Sequence, residues 1–199
     1  MRGHLVIFAR SPRLGAVKRR LARDIGTLAA WRFYSFVLNR MVARLTRDRR
    51  WDCSLAVTGG PARWPDRVRR IAQGRGDLGE RMDRAMRQPP PGPVVIIGTD
   101  IPDIAPRHIA AAFAALGRND AVLGPADDGG YWLIGLRRRP FHPTLVGPVR
   151  WSSPHARADT LRLLGPRVRT AMLETLTDVD DGASHDRWRR QGGRRGYFS

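Results

Sequence analysis

Residues 98–104 read GTDIPDI and close an apolar run, PVVIIG. A carboxylate at the tip of a hydrophobic strand is costly unless something beyond the sheet needs its charge. Asp100 is therefore a candidate ligand, while Asp103 either joins it or caps a helix opened by Pro106. A second acidic run, DVDD at 178–181, follows the strand-like RVRTAMLE. Two strand-end carboxylates suit a hard divalent cation, Mg²⁺ or Mn²⁺, which would bridge them to a diphosphate. A third run, ADDGG at 126–130, places Asp127 and Asp128 before Gly129 and Gly130. Glycines tolerate positive φ and close backbone approach, so these carboxylates can face a cleft; the alternative is a tight turn between strands. The fourth feature, SPRLGAVK at 11–18, is a glycine-bearing loop entering a helix. Such a loop offers backbone N–H groups and a positive dipole to phosphate, with formal charge from Arg10, Arg13 and Lys18.

The elements that carry these residues follow from hydrophobic patterning. HLVIFA, CSLAVT, PVVIIGTD and DAVLGP are short apolar runs bounded by Gly, Pro or Asp, as expected for strands covered on both faces. Between them lie helical patterns. Thr27 to Arg47 carries a stripe of Leu28, Trp31, Phe33, Tyr34, Val37, Leu38, Met41, Val42 and Leu45; Leu78 to Met86 and His108 to Leu116 repeat it more briefly. GGYWLIGL reads as a further strand, SSPHARADTLRLLG as a helix closed by Gly165, and RVRTAMLE as a last strand. Alternating strands and helices imply an α/β three-layer sandwich around a mainly parallel mixed sheet, with ligands beyond the carboxyl ends of the strands.

At 199 residues the chain fits a single domain, 1–190, with a basic tail at 191–199 that has little to hold it down. The run His4 to Ala9 is far short of the ~20 residues of a membrane span, and with no signal-peptide cleavage pattern the expected location is cytoplasmic. Cys53 is the sole cysteine and reads as a buried, inert thiol. A net charge of +18 invites a nucleic-acid reading, but the arginines are scattered rather than gathered in one stripe, which disfavours it. Lys18 is the only lysine in an arginine-rich chain, so its position after the glycine loop marks it as a cation kept for its compact ammonium. As a helix-start lysine it is expected to be exposed and to contribute little to stability.

Taken together, FARSPRLGAVKRRL, QGRGDLGERM, GTDIPDI, GPADDGGYWLIGL, the stretch Trp151-Ser152-Ser153 and DVD resemble the nucleotide-diphospho-sugar transferases of glycosyltransferase-A type, in particular the radical-SAM/selenodomain-associated or arsenosugar-biosynthesis glycosyltransferases. The resemblance covers about residues 4–187. More remotely the chain is similar to molybdenum-cofactor guanylyltransferases and phospholactate guanylyltransferases. The resemblance implies a nucleotide-diphospho-sugar transferase fold, a nucleotide or nucleotide-sugar donor, and a small-molecule acceptor. It makes Ala9, Arg10, Ser11, Gly15 and Lys18 a nucleotide-phosphate loop, and Gln73, Gly74, Gly76, Asp77 and Gly79 a second nucleotide motif. It makes Asp100 and Asp180 the metal carboxylates, with Asp178 a rival for the second. Asp127 and Asp128 become the catalytic pair, and Gly129, Gly130 and Trp151 the acceptor side. The chain departs from the pattern at Arg19, where the family has threonine, and at Asp181-Gly182-Ala183-Ser184, where it has T-P-E-D. The first loop also lacks the G-G-x-S-x-R-x-G of nucleotidylyltransferases, so nucleotidyl transfer to a phosphorylated small molecule is the alternative to sugar transfer. A non-catalytic anion- or nucleic-acid-binding domain ranks third.

Overall fold

The computed structural model describes residues 2–66, 68–139 and 143–193. Strand β1 (Gly3–Arg10) leads through the glycine loop into a seven-residue helix, α1 (Arg19–Ile25), and then the long helix α2 (Thr27–Thr46). There follow β2 (Trp51–Thr58), β3 (Arg69–Ala72), α3 (Leu78–Arg87), β4 (Val94–Ile97) and α4 (Pro106–Leu116). Next come β5 (Ala121–Pro125), β6 (Tyr131–Leu136), α5 (Ala156–Leu164), β7 (Thr170–Met172) and α6 (Gly182–Trp188), with a further wide helical turn at Arg189–Gly193. Of the expected tail at 191–199, residues 194–199 lie outside the described residues.

The strands form one seven-stranded sheet in the order β3-β2-β1-β4-β6-β5-β7. β1 runs parallel to β2 and β4, β2 to β3, and β5 to β7, while β6 is antiparallel to both of its neighbours. The apolar runs explain the central strands. On β1, Leu5 and Ile7 face one layer and Val6 the other, all fully buried, and β4 repeats this with Val95 and Ile97 against Val94 and Ile96. The first face is covered by α1, α2, α4 and α6 through Leu21, Phe33, Ile109 and Trp188; the second by α3 and α5 through Met82, Met86 and Leu164. This is the α/β layered sheet that the patterning implied.

Two expectations need correction. Leu28, placed in the core stripe of α2, is 49% exposed, and the fully buried stripe runs from Phe33 to Leu45 with Trp31 only half-buried. Asp103 does not cap α4: Ala105 is the N-cap, and its N–H donates to Nδ1 of His108 at 2.9 Å. β3, RRIA, lacks an apolar run; it is an edge strand whose existence rests on pairing with β2. Its arginines discourage further pairing on that edge. Cys53 is half-buried and burial pushes its thiol up to about 12, so it is protonated at neutral pH.

The topology also places the site. β2 and β3 extend the sheet on one side of β1, and the chain then returns to lay β4 on the other side. The strand order reverses at β1, and a crevice opens beyond the carboxyl ends of β1 and β4, where such sheets bind ligands. No described helix is long and apolar enough to cross a membrane.

Candidate functional site

Asp100 lies just past β4, and Asp180 lies between β7 and α6. A backbone hydrogen bond from the Val179 N–H to the Asp100 carbonyl, 3.1 Å, ties the two segments together. Asp181 caps α6 by accepting the Ser184 N–H at 2.8 Å, and the Ser184 hydroxyl accepts the N–H of Asp180 and of Asp181. The departure at 181–184 thus builds the cap that holds the second carboxylate arm.

Between these carboxylates lies the ammonium of Lys18, 2.5 Å from Asp100 Oδ1 and 2.6 Å from Asp180 Oδ1. Its side chain is 5% exposed, so the expectation of an exposed lysine is wrong. Lys18 also adopts a left-handed backbone (φ 47°, ψ 48°), which costs about 1–2 kcal/mol for a residue with a Cβ. Burial lowers the pKa of Lys18, but the two carboxylates outweigh it and hold the pKa above the usual lysine value. Asp178 is hydrogen-bonded to Asp180, and burial together with the charge of Asp180 pushes it up to about 7. Burial raises Asp180 too, but Lys18 more than offsets this and keeps it below the usual carboxylate range. The three aspartates and one lysine therefore form a single charge network at the carboxyl edge of the sheet.

Two cavities meet at this network. The larger, about 510 Å³, is lined by Ala9, Arg10, Lys18, Arg19, Arg20, Gln73 and Arg81, and by Asp100 and Asp180. Its positive charge comes from side chains more than from a helix terminus, because α1 has only seven residues and a correspondingly small dipole. The loop itself is held by α2: Tyr34 hydrogen-bonds the N–H and the carbonyl of Arg10, and Trp31 Nε1 donates to the Pro12 carbonyl at 2.7 Å. Ser11 is 1% exposed, its N–H bound to the Thr58 carbonyl, and it does not line the cavity; neither do Arg13 and Gly15, the latter turning the loop at φ 77°.

In the second motif, Gln73 reaches the cavity and also ties the sheet, donating from Nε2 to the carbonyls of Ala56 (2.9 Å) and Ala9 (3.3 Å) and accepting from Arg81 at 3.1 Å. Gly74, Gly76, Asp77 and Gly79 lie outside the lining. Asp77 caps α3, accepting the Glu80 N–H while Glu80 accepts its own. A Cβ on Gly79 would sit 2.6 Å from the Trp151 ring, so this glycine seats Trp151 over the start of α3.

The second cavity, about 290 Å³, is lined by Asp128, Gly130, Tyr131, Trp132, Trp151 and Asp178, and again by Asp100 and Asp180. Asp128 Oδ1 accepts the Gly130 N–H at 2.8 Å, which fixes the turn. Gly129 has φ +87°, and a Cβ there would meet the Pro154 carbonyl at 2.3 Å. Asp127 is exposed and lines neither cavity. Thus the structure gathers Asp100, Asp128, Asp180, Lys18 and Trp151, and separates Asp127 from them. Sequence reasoning missed Tyr34, Arg81, Tyr131 and Trp132, because each reads locally as a core or helix-surface residue.

Magnesium and manganese are held through one or two carboxylates together with phosphate oxygens and water. Asp100 and Asp180 supply that number, and both border the cationic cavity. No group of three His, Cys, Asp or Glu side chains among the described residues forms a cage. The donor set therefore fits a cation that arrives with a diphosphate.

A profile of the bacterial family DUF2064, described as an uncharacterized protein conserved in bacteria, matches residues 39–153, more than half of the chain. The chain belongs to that family. No protein of curated function matches the sequence. Among solved structures, one from Desulfovibrio desulfuricans G20, provisionally assigned as a nucleotide-diphospho-sugar transferase, superposes with a TM-score of 0.87 at 29% identity, over 99% of this chain and 90% of that one. The 2-C-methyl-D-erythritol 4-phosphate cytidylyltransferase of Thermus thermophilus gives 0.56 at 13% identity, over 97% and 100%. The glucosyl-3-phosphoglycerate synthase of Mycobacterium tuberculosis, solved with Mn²⁺, uridine diphosphate and glucosyl-3-phosphoglycerate, gives 0.52 at 11%, over 89% and 70%. The fold is therefore that of nucleotide-diphospho-sugar transferases and nucleotidylyltransferases, and these solved neighbours are transferases.

Proposed function

We propose that this protein is a metal-dependent transferase that moves a sugar from a nucleotide-sugar donor to a small-molecule acceptor. The observation that carries this reading is the meeting of two cavities of opposite lining at Asp100 and Asp180. The first, with Arg10, Lys18, Arg19, Arg20 and Arg81, suits a nucleoside diphosphate. The second, with aromatic walls and Asp128, suits an acceptor, and the shared carboxylates mark the line between them.

In this reading Asp100 and Asp180 would hold Mg²⁺ or Mn²⁺, which would stabilise the charge that builds on the departing diphosphate. Arg10, Arg19, Arg20 and Lys18 bind the diphosphate and stabilise the same charge, an electrostatic contribution of several kcal/mol. Asp128 takes the proton of the acceptor hydroxyl, whose oxygen bonds to the anomeric carbon while the bond from that carbon to the diphosphate breaks. The electron pair leaves with the nucleoside diphosphate. Tyr131 and Trp132 line both cavities, and Trp151 lines the acceptor side alone.

Calorimetry of nucleoside diphosphates with and without Mg²⁺ or Mn²⁺ tests the reading. Wild-type binding is expected to depend on the cation, and Asp100→Asn to weaken it at least tenfold, or about 1.4 kcal/mol. Unchanged affinity and unchanged cation dependence in Asp100→Asn would show that this carboxylate holds no metal.

A further inference from the structure

We propose that the acceptor carries no negative charge where it enters the second cavity: it is a neutral or cationic hydroxyl compound, not a phosphorylated one. This deepens the transferase reading and rests on it for the identity of that cavity as the acceptor side.

The lining is strongly one-sided. Asp100, Asp128, Asp178 and Asp180 border this cavity of about 290 Å³, and Arg20 is the one guanidinium among its described lining residues. The chain has 18 acidic residues against 36 basic ones, so four carboxylates around one small cavity run against the charge of the whole protein. The adjoining cavity shows the reverse, with Arg10, Lys18, Arg19, Arg20 and Arg81 around the same two shared aspartates. Lys18 pairs with Asp100 and Asp180, so Asp128 and Asp178 are the carboxylates that set the second side apart, and an anion is less favoured there than in the first cavity. A divalent cation on that line does not invert the balance, because it arrives with a diphosphate that returns negative charge.

What the lining offers instead is aromatic surface and hydrogen-bond capacity. Tyr131, Trp132 and Trp151 present ring faces or edges, which suit the C–H face of a sugar or an alkylammonium group. Trp151 lines this cavity and not the first, so its ring marks the acceptor side. Asp128 and Asp178 supply carboxyl oxygens that accept from the hydroxyls of a bound acceptor.

The test uses matched pairs of small molecules: methyl glucoside against glucose 6-phosphate, and choline against phosphocholine. Indole N–H signals of Trp132 and Trp151, assigned with Trp→Phe variants, report binding in the full chain. At least one neutral or cationic member is expected to shift the Trp151 signal, with its phosphorylated partner binding at least tenfold more weakly. In Asp128→Asn/Asp178→Asn that ratio should narrow severalfold. A phosphorylated member that binds equally or better in the wild type overturns the proposal. So does the failure of every neutral and cationic member up to its solubility limit. Nucleoside diphosphate with Mg²⁺ is followed separately at the backbone signals of Gly15 and Lys18; failure there removes the nucleotide reading without deciding the charge preference of the second cavity.

Discussion

Replacing Lys18 by Met keeps an unbranched stem and the left-handed backbone of the residue and removes the ammonium, so the strain at φ 47° is common to both proteins. The ammonium lies 2.5 Å and 2.6 Å from two carboxylates that are 58% and 40% exposed. At about 2.6 Å even a water-like dielectric gives roughly 1.6 kcal/mol per pair, about 3 kcal/mol for the two. Solvent screening of the half-exposed aspartates leaves about half of this in stability terms, roughly 1–2 kcal/mol. For a chain of this size that lowers Tm by roughly 2–8 °C. The cation balance moves the other way. In the wild type a metal ion must share Asp100 and Asp180 with Lys18; in Lys18→Met it does not, and Mn²⁺ in the absence of nucleotide should bind at least tenfold more tightly, a gain of about 1.4 kcal/mol. Nucleoside diphosphate in the absence of metal should bind more weakly, since one cation of its cavity is gone. Isothermal titration of Mn²⁺ and of nucleotide, with melting curves on the same samples, reads all three quantities. Mn²⁺ affinity that is unchanged or weaker in Lys18→Met would refute the claim that Lys18 and the metal contend for one pair of carboxylates. Lys18→Gly is a useful companion: it also loses the charge but is free of the left-handed strain, and should melt above Lys18→Ala by about 2–4 °C.

Asp128→Asn should leave nucleoside-diphosphate affinity within a few-fold and lower sugar transfer, or slow hydrolysis of the donor, by about 10²-fold or more; Asp127→Asn, outside both cavities, should leave turnover per folded molecule unchanged, and equal rates for the two variants would remove Asp128 from the chemistry. His185 is 4% exposed against Phe33 and Trp188, and neither of its ring nitrogens is hydrogen-bonded. Burial and the charge of Arg189 hold its pKa below 6.5, so below pH 6.5 the unfolded chain binds more protons than the folded one and stability falls as pH drops toward the folded value. Melting curves between neutral and mildly acidic pH should show this fall in the wild type and a smaller one in His185→Leu; identical slopes would mean that His185 takes no part in it.

The residues themselves specified which strands are central, because a strand covered on both faces must be apolar at every position, as Leu5, Val6 and Ile7 are. They also exposed Asp100, since a carboxylate has no local reason to end such a strand, and the turn chemistry of Gly129, whose positive φ and contact with Pro154 tolerate no side chain. Local pattern could not reveal β3, whose RRIA forms a strand only because β2 offers a free edge, nor the burial of Lys18, which follows from two aspartates supplied from distant parts of the chain. Local pattern assigns Asp127 to the turn and Asp128 to the cleft, yet Asp128 both accepts the Gly130 N–H of the turn and lines the second cavity, because the turn itself sets the direction of neighbouring side chains. The same holds for Gln73 and Gly79. Both sit in one motif, yet the fold sends the first into the cavity and uses the second to seat Trp151. Spacing along the chain records what each segment prefers by itself, whereas a charge network such as Lys18, Asp100, Asp178 and Asp180 depends on distances across the sheet edge, and those are set when β1, β4 and the β7–α6 connection pack against one another.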